Sequence, residues 1–130
     1  MADPSVALQI ALADRLEAGL ASLNCPVYDG APLNAQMPYV SIDSEIINAA
    51  DFLASRMDER LLYLSVWSNA KGQLEVKRIM AAIDELLNEQ PLSISPGRVV
   101  SVRVLRKQSK REPDGVTYQG AVTLRIYTQH

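Results

Sequence analysis

The stretch VWSNAKGQLEVKRIM, Val66–Met80, passes from one hydrophobic period to another through a single glycine. On its N-terminal side, Leu61–Trp67 alternates: Leu62, Leu64 and Val66 point one way, Leu61, Tyr63, Ser65 and Trp67 the other. Both sets are partly apolar, which predicts a central strand. On its C-terminal side, Val76, Ile79, Met80, Ile83, Leu86 and Leu87 recur at helical spacing, with Lys77, Arg78, Asp84 and Glu85 largely outside the stripe. Pro91 ends this helix. A strand, a glycine turn and a helix with a nearby lysine also outline a phosphate-binding loop. That loop needs several glycines to converge backbone N–H groups on phosphate, and Lys-Ser/Thr at the helix start. Here Gly72 stands alone, Lys71 precedes it, and no Ser or Thr follows the lysine. The pattern is better explained as a structural joint, with Ser68 or Asn69 as helix cap and Gly72 in the first helical turn.

The flanking segments extend this unit. Asp3-Pro4 marks a helix start, a capping side chain followed by proline at the first helical position. Leu8, Leu12, Leu16, Leu20 and Leu23 follow at helical spacing, and the helix is expected to end near Leu23. Asp29-Gly30 reads as a turn, residues 32–38 as a loop, and Tyr39–Asp43 as a strand. Residues 44–60 fit neither period; a mobile loop, or a strand extension that finds its partner elsewhere, is expected there. Val99–Leu105 predicts a strand with Val100, Val102 and Val104 on one side. The basic run Arg106–Arg111 follows, then the turn signal Pro113-Asp114-Gly115. Tyr118–Thr128 alternates, with Val122, Leu124 and Ile126 inward and Thr123, Arg125 and Tyr127 outward. The last two strands should form a long hairpin. The expected architecture is α+β: a mostly antiparallel sheet of four to five strands, two helices packed on one face, and one domain over residues 1–130.

Composition bounds the function. The 130 residues are 48% apolar and 22% charged, an ordinary globular balance. No apolar run reaches the ~18 residues of a membrane span, and the N-terminus lacks the features of a secretory signal. The single cysteine, Cys25, has no internal disulfide partner, which fits synthesis in a reducing cytoplasm. Charge is split along the chain. Residues 1–95 carry thirteen acids against six bases, a net of −7; residues 96–130 carry seven bases against two acids, a net of +5. Such a molecule is suited to head-to-tail attraction between copies, although two solvated faces explain the split equally well.

Chemistry is poorly represented. His130 is the only histidine and is expected on a frayed end. His130 and Cys25 together fall short of a metal-ligand set. Cys25 reads as a small apolar filler, and Asp58-Glu59 and Asp84-Glu85 as solvated surface pairs. No catalytic constellation and no cofactor motif emerges. The run RVLRKQSKR distributes its bases to both sides of a strand, Arg103 and Lys107 on one and Arg106 and Lys110 on the other. No aromatics interleave for base stacking, so sequence-specific nucleic-acid binding is not expected.

Four motifs in fixed order carry a resemblance: PVYDG at 26–30, MPYV at 37–40, VWS at 66–68 before a glycine-started helix, and REPDGVTYQG at 111–120. Together they resemble the tail-completion, or tail-terminator, family of long-tailed phages and gene transfer agents, over about Pro26–Tyr127. The resemblance implies a virion structural protein made in the host bacterial cytoplasm, without enzyme activity or cofactor. It implies a homo-oligomeric ring, usually of six subunits, at the head-proximal end of the tail tube. There it ends tube polymerisation, touches the tube protein and a neck or head-completion protein, and lets DNA pass without sequence-specific binding. The chain departs from the family in 44–60, where Ile46, Ile47, Phe52 and Leu53 stand. The expected protein contacts are Phe52, Arg56 and Asp58 from this segment and Arg106, Lys107, Lys110, Arg111, Asp114 and Tyr118 from the hairpin. Both regions are expected to be flexible and to order on docking. Two alternatives remain open: another neck component such as a head-completion connector, and a cytoplasmic ligand-binding module, which a deep apolar pocket would favour.

Overall fold

The computed structural model describes residues 2–51 and 56–130. Phe52 and Leu53 lie outside the described residues. Helix α1 spans Ser5–Leu20 and a 3-10 turn spans Ala21–Leu23. Strands β1 (Val27–Tyr28), β2 (Tyr39–Ala49) and β3 (Met57–Ser68) precede helix α2 (Leu74–Leu87). Strands β4 (Arg98–Arg111) and β5 (Tyr118–Gln129) complete the chain as the long hairpin. The sheet order is β1-β2-β3-β5-β4. β1 is parallel to β2 and every other pairing is antiparallel. The fold is α+β, and β3 is central as its two half-apolar faces require.

The four leucines Leu8, Leu12, Leu16 and Leu20 recur at every fourth residue and are all buried. Leu23 is not: the chain tightens into the 3-10 turn, Asn24 turns left-handed (φ 52°), and Leu23 is left 37% exposed. The helix begins one residue later than expected, at Ser5. Asp3 nonetheless accepts the Ser5 N–H at 2.8 Å, covering a donor that the first turn leaves free. On α2, Val76, Ile79, Met80, Ile83 and Leu87 are buried and Leu86 packs against the same cluster. Together with Leu62, Leu64 and Val66 of β3 and Val122, Leu124 and Ile126 of β5 they form one core between the helices and the sheet. Each such side chain stabilises by roughly 1.5–3 kcal/mol on burial. Gly120 on β5 lets α2 approach: a Cβ there would sit 2.6 Å from Val76 Cγ1 and 2.9 Å from Met80 Sδ.

The joint at 68–73 corrects the expected cap. Gln73, not Ser68 or Asn69, precedes α2, and no side chain caps it. Buried Ser68 instead donates its Oγ–H to Glu75 Oε1 (2.6 Å) and accepts the Ala70 N–H (3.2 Å), clamping the strand end to the helix start. Gly72 lies before the helix with φ 77° and open space around its Cα, so backbone conformation rather than close packing calls for glycine there.

Residues 44–49 and 57–60 are strand. β2 continues to Ala49 and pairs with β3 as far as Asp58. The segment is therefore a strand extension, and its partner is the next strand in the chain. The apolar period is obscured because Asp43 is bulged between Ile42 and Ser44, and because the overhang leaves Asp43–Ala49 exposed throughout. A bulge shifts the alternation by one residue.

The same device alters β4. The register with β5 skips Val100 and Leu105, so both are bulged and exposed, at 43% and 46%. Val99, Val102 and Val104 face the core instead of the expected Val100, Val102 and Val104. Beyond the second bulge, Lys107 stands opposite core-facing Val122, whereas Arg106 stands opposite outward Thr123.

Candidate assembly interface

The bulge at Leu105 redistributes the basic run. Arg103 pairs across with Arg125, Arg106 with Thr123 and Lys110 with Gln119, which places Arg103, Arg106, Lys110 and Arg125 on the sheet face away from the helices. The sequence alternation had separated Arg103 from Arg106 and Lys110. Like charges directly opposite each other repel, and each arginine has found relief. Arg103 is 3.4 Å from Glu89, and Arg125 lies over the Tyr127 ring, 5.5 Å from its centroid. Lys107 turns to the helix side, where its Nζ donates to Asp84 Oδ2 at 2.6 Å.

The hairpin tip is built by Asp114. Its carboxylate accepts from the Val116 N–H (2.9 Å), the Thr117 N–H (2.8 Å) and the Thr117 hydroxyl (2.6 Å). These bonds hold its pKa below the ordinary carboxylate value. The Arg111 guanidinium closes the turn by donating to the Gly115 carbonyl from Nε (3.0 Å) and Nη2 (2.7 Å). Arg111 and Asp114 thus serve the turn's own geometry, and the tip is a preformed feature rather than a loose segment. Arg106 and Lys110 remain exposed; Arg106 reaches Gln108 (3.1 Å) and Lys110 lies 3.7 Å from Glu112. Tyr118 is half-buried against the core.

At the other end of the sheet lies a buried ion cluster. Arg60 is fully buried. Its Nη2 is 3.0 Å from Asp3 Oδ1 and 3.6 Å from Asp58 Oδ2. Its Nη1 donates to Ser5 Oγ (2.7 Å) and approaches Glu45 Oε2 (3.5 Å), and its Nε donates to Thr128 Oγ1 (3.0 Å). Bonds from Ser5, and then from Arg60, lower the Asp3 pKa to about 2. Asp58, expected on an exposed surface with Glu59, is 4% exposed and belongs to this cluster. His130, expected to be frayed, is tied down: its N–H donates to the Arg56 carbonyl (3.0 Å) and its imidazole Nδ1 is 3.9 Å from Asp58 Oδ2. Arg56 itself is exposed. The alternation of β3 carried this information. Counting back by twos from Val66 through Leu64 and Leu62 puts Arg60 and Asp58 on the core face.

Buried Cys25 has its thiol pushed up to about 12, chiefly by loss of hydration and then by the charge of Glu75, so it is protonated and unreactive near neutral pH. Among the described residues, no group of three or more His, Cys, Asp or Glu side chains is placed to hold a metal. No described helix is long and apolar enough to cross a membrane. A groove of about 550 Å³ beside Cys25 is lined by Glu17, Ala21, Asn24, Pro26, Val27 and Tyr28. At the α2 N-terminus, Glu75 presents its own carboxylate to Ser68, which leaves little attraction for a phosphate.

No curated protein matches the sequence. Among solved structures, a chain from the virion of a native gene transfer agent particle superposes with a TM-score of 0.88 at 25% identity, covering 100% of both chains. A second solved chain, 15% identical, shares the fold with a TM-score of 0.54 over 97% of this chain and 92% of that one. The family model described as Tail completion protein gp17 matches residues 7–129, nearly the whole sequence. The chain belongs to this tail-completion family.

Proposed function

We propose that the protein is the tail terminator of a phage or gene transfer agent: a structural subunit that assembles, six copies to a ring, on the head-proximal end of the tail tube. It acts by surface complementarity between proteins and needs no reactive side chain. The observation that carries this reading is the end-to-end likeness to a chain of a gene transfer agent virion. A cap of this kind satisfies the open contacts of the tube on one face and presents a different face to the neck, so that tube growth stops. DNA passes through its lumen without base recognition.

Mixing the purified protein with its tube protein and imaging by electron microscopy tests the assignment. The expected product is tubes of fixed end structure, each capped at one end by a ring. Reversing two exposed charges, Arg106→Glu with Lys110→Glu, should leave the chain folded while impairing ring formation or tail joining. Normal particle yield from that variant would remove the hairpin from the mechanism. If the protein bound only the neck component and never the tube protein, a head-completion role would replace the terminator role.

A further inference from the structure

Two edges of the sheet differ in a way that specifies how copies would join. β1 covers β2 only at Val40 and Ser41. Beyond them, nothing among the described residues pairs with the far side of Asp43–Ala49, and all seven residues are exposed. The Ala50 N–H bonds inward to the Met57 carbonyl (2.8 Å). By alternation along an antiparallel pair, the N–H groups of Glu45 and Ile47 face the open side. Ile46 and Ile47, 49% and 43% exposed, stand on opposite faces of this overhang. An exposed apolar edge without lysine or proline is a template for another strand.

The opposite edge, β4, is partly closed by its own chain. The Glu89 N–H donates to the Val102 carbonyl (2.8 Å), and the Val104 N–H donates to Asn88 Oδ1 (2.9 Å). Past the bulge at Leu105, no described residue outside the hairpin bonds to the Arg106–Arg111 backbone. β4 carries bases and no acid, whereas β2 carries Asp43 and Glu45 and no base. β2 against β2, or β4 against β4, would oppose like charges; β2 against β4 matches them.

We infer that the Asp43–Ala49 edge of β2 receives the Arg106–Arg111 half of β4 from a second copy, by antiparallel strand addition. This rests on the ring assembly proposed above and names its contact. The topology supplies the direction. β2 and β5 run one way and β3 and β4 the other, so rotation about an axis along the strands sets one copy's β4 antiparallel to the next copy's β2. Across one subunit, Ile46 is level with Leu61, Arg125 and Arg103. Seating β2 on Arg106–Arg111 therefore staggers successive copies by a few residues, as tilted strands in a closed ring require. Because the two edges are different surfaces, the contact is head-to-tail and propagates.

The test uses the full chain and two variants. Ile47→Pro removes one outward N–H while sparing the inward bonds to β3. Arg106→Glu with Lys110→Glu reverses the other edge. Each variant alone should lose ring formation, with self-association weakened at least about tenfold, while circular dichroism and melting confirm folding. Should Ile47→Pro fail to fold, Ile46→Lys with Ile47→Lys takes its place. An equimolar mixture of the two variants retains one intact edge of each kind, so it should give a heterodimer that grows no further. Wild-type rings together with variants that still form rings, or a mixture that yields no heterodimer, would overturn the edge contact and leave ring assembly standing. Wild-type protein that stays monomeric, even with tube protein, would overturn both.

Discussion

The two ends of β3 share one face of one strand, yet they are sealed by opposite means. Toward Val66, the interior is closed by leucine, isoleucine and valine from both helices. Toward Asp58, it is closed by Arg60, whose charge is met by Asp3, Glu45 and Asp58 and whose remaining N–H groups go to Ser5 and Thr128. The first end is held by non-directional burial and tolerates changes that keep volume. The second ties the N-terminal segment, β2, β3 and β5 to one planar guanidinium and depends on each partner. The more specific end is therefore also the more fragile one.

Arg60→Met gives the largest expected break in that contrast. It leaves Asp58 buried without its partner, and unfolding in urea should show a loss on the order of 3–5 kcal/mol. Adding Asp58→Asn should recover part of that loss, because no buried charge then stands alone. If Arg60→Met were as stable as the parent, the cluster would contribute nothing beyond packing. The apolar end is expected to respond less. Gly120→Val pushes two methyl groups against Val76 and Met80, and α2 must shift, for a cost of about 1–3 kcal/mol in the same measurement.

A smaller effect comes from acid. Asp3 has a native pKa of about 2 against an ordinary 3.8. A depressed carboxylate contributes stability that is fully present above its unfolded pKa and is lost as pH falls through the folded value. The loss attributable to Asp3 should fall between about pH 4 and pH 2, and Asp3→Asn should remove it. Because 61% of the Asp3 side chain is exposed, solvent screens the interaction and the loss should stay under about 1 kcal/mol. A melting series in pH compares the two proteins directly.

The apolar periods made the helices, the central strand and the hairpin legible, since a two- or four-residue repeat survives in any context. Bulges were not legible. A single inserted residue at Asp43, Val100 or Leu105 reverses the alternation without any compositional mark. Plain alternation consequently divides the basic run, although three of its members share one face. β1 was missed because two residues, Val27 and Tyr28, give no period. The ion cluster could have been found by extending the β3 alternation to Arg60 and Asp58, but charged side chains on a core face run against the usual burial preference. Pro113-Asp114-Gly115 marks Asp114 as a turn residue, but its three acceptor bonds depend on how the hairpin closes, which the motif alone does not specify.

The smallest expected stability effect belongs to the residues with the largest expected consequence for assembly. Arg106 and Lys110 are exposed, and solvent screens the Lys110 end of its 3.7 Å contact with Glu112. Arg106→Glu with Lys110→Glu should therefore change unfolding by no more than about 0.5 kcal/mol. A buried role would give several times that. Stability and assembly should thus separate cleanly along the chain, with Arg60 governing the first and the outward half of β4 the second. A double variant that melted many degrees lower would erase this division, because loss of assembly would then follow from loss of fold.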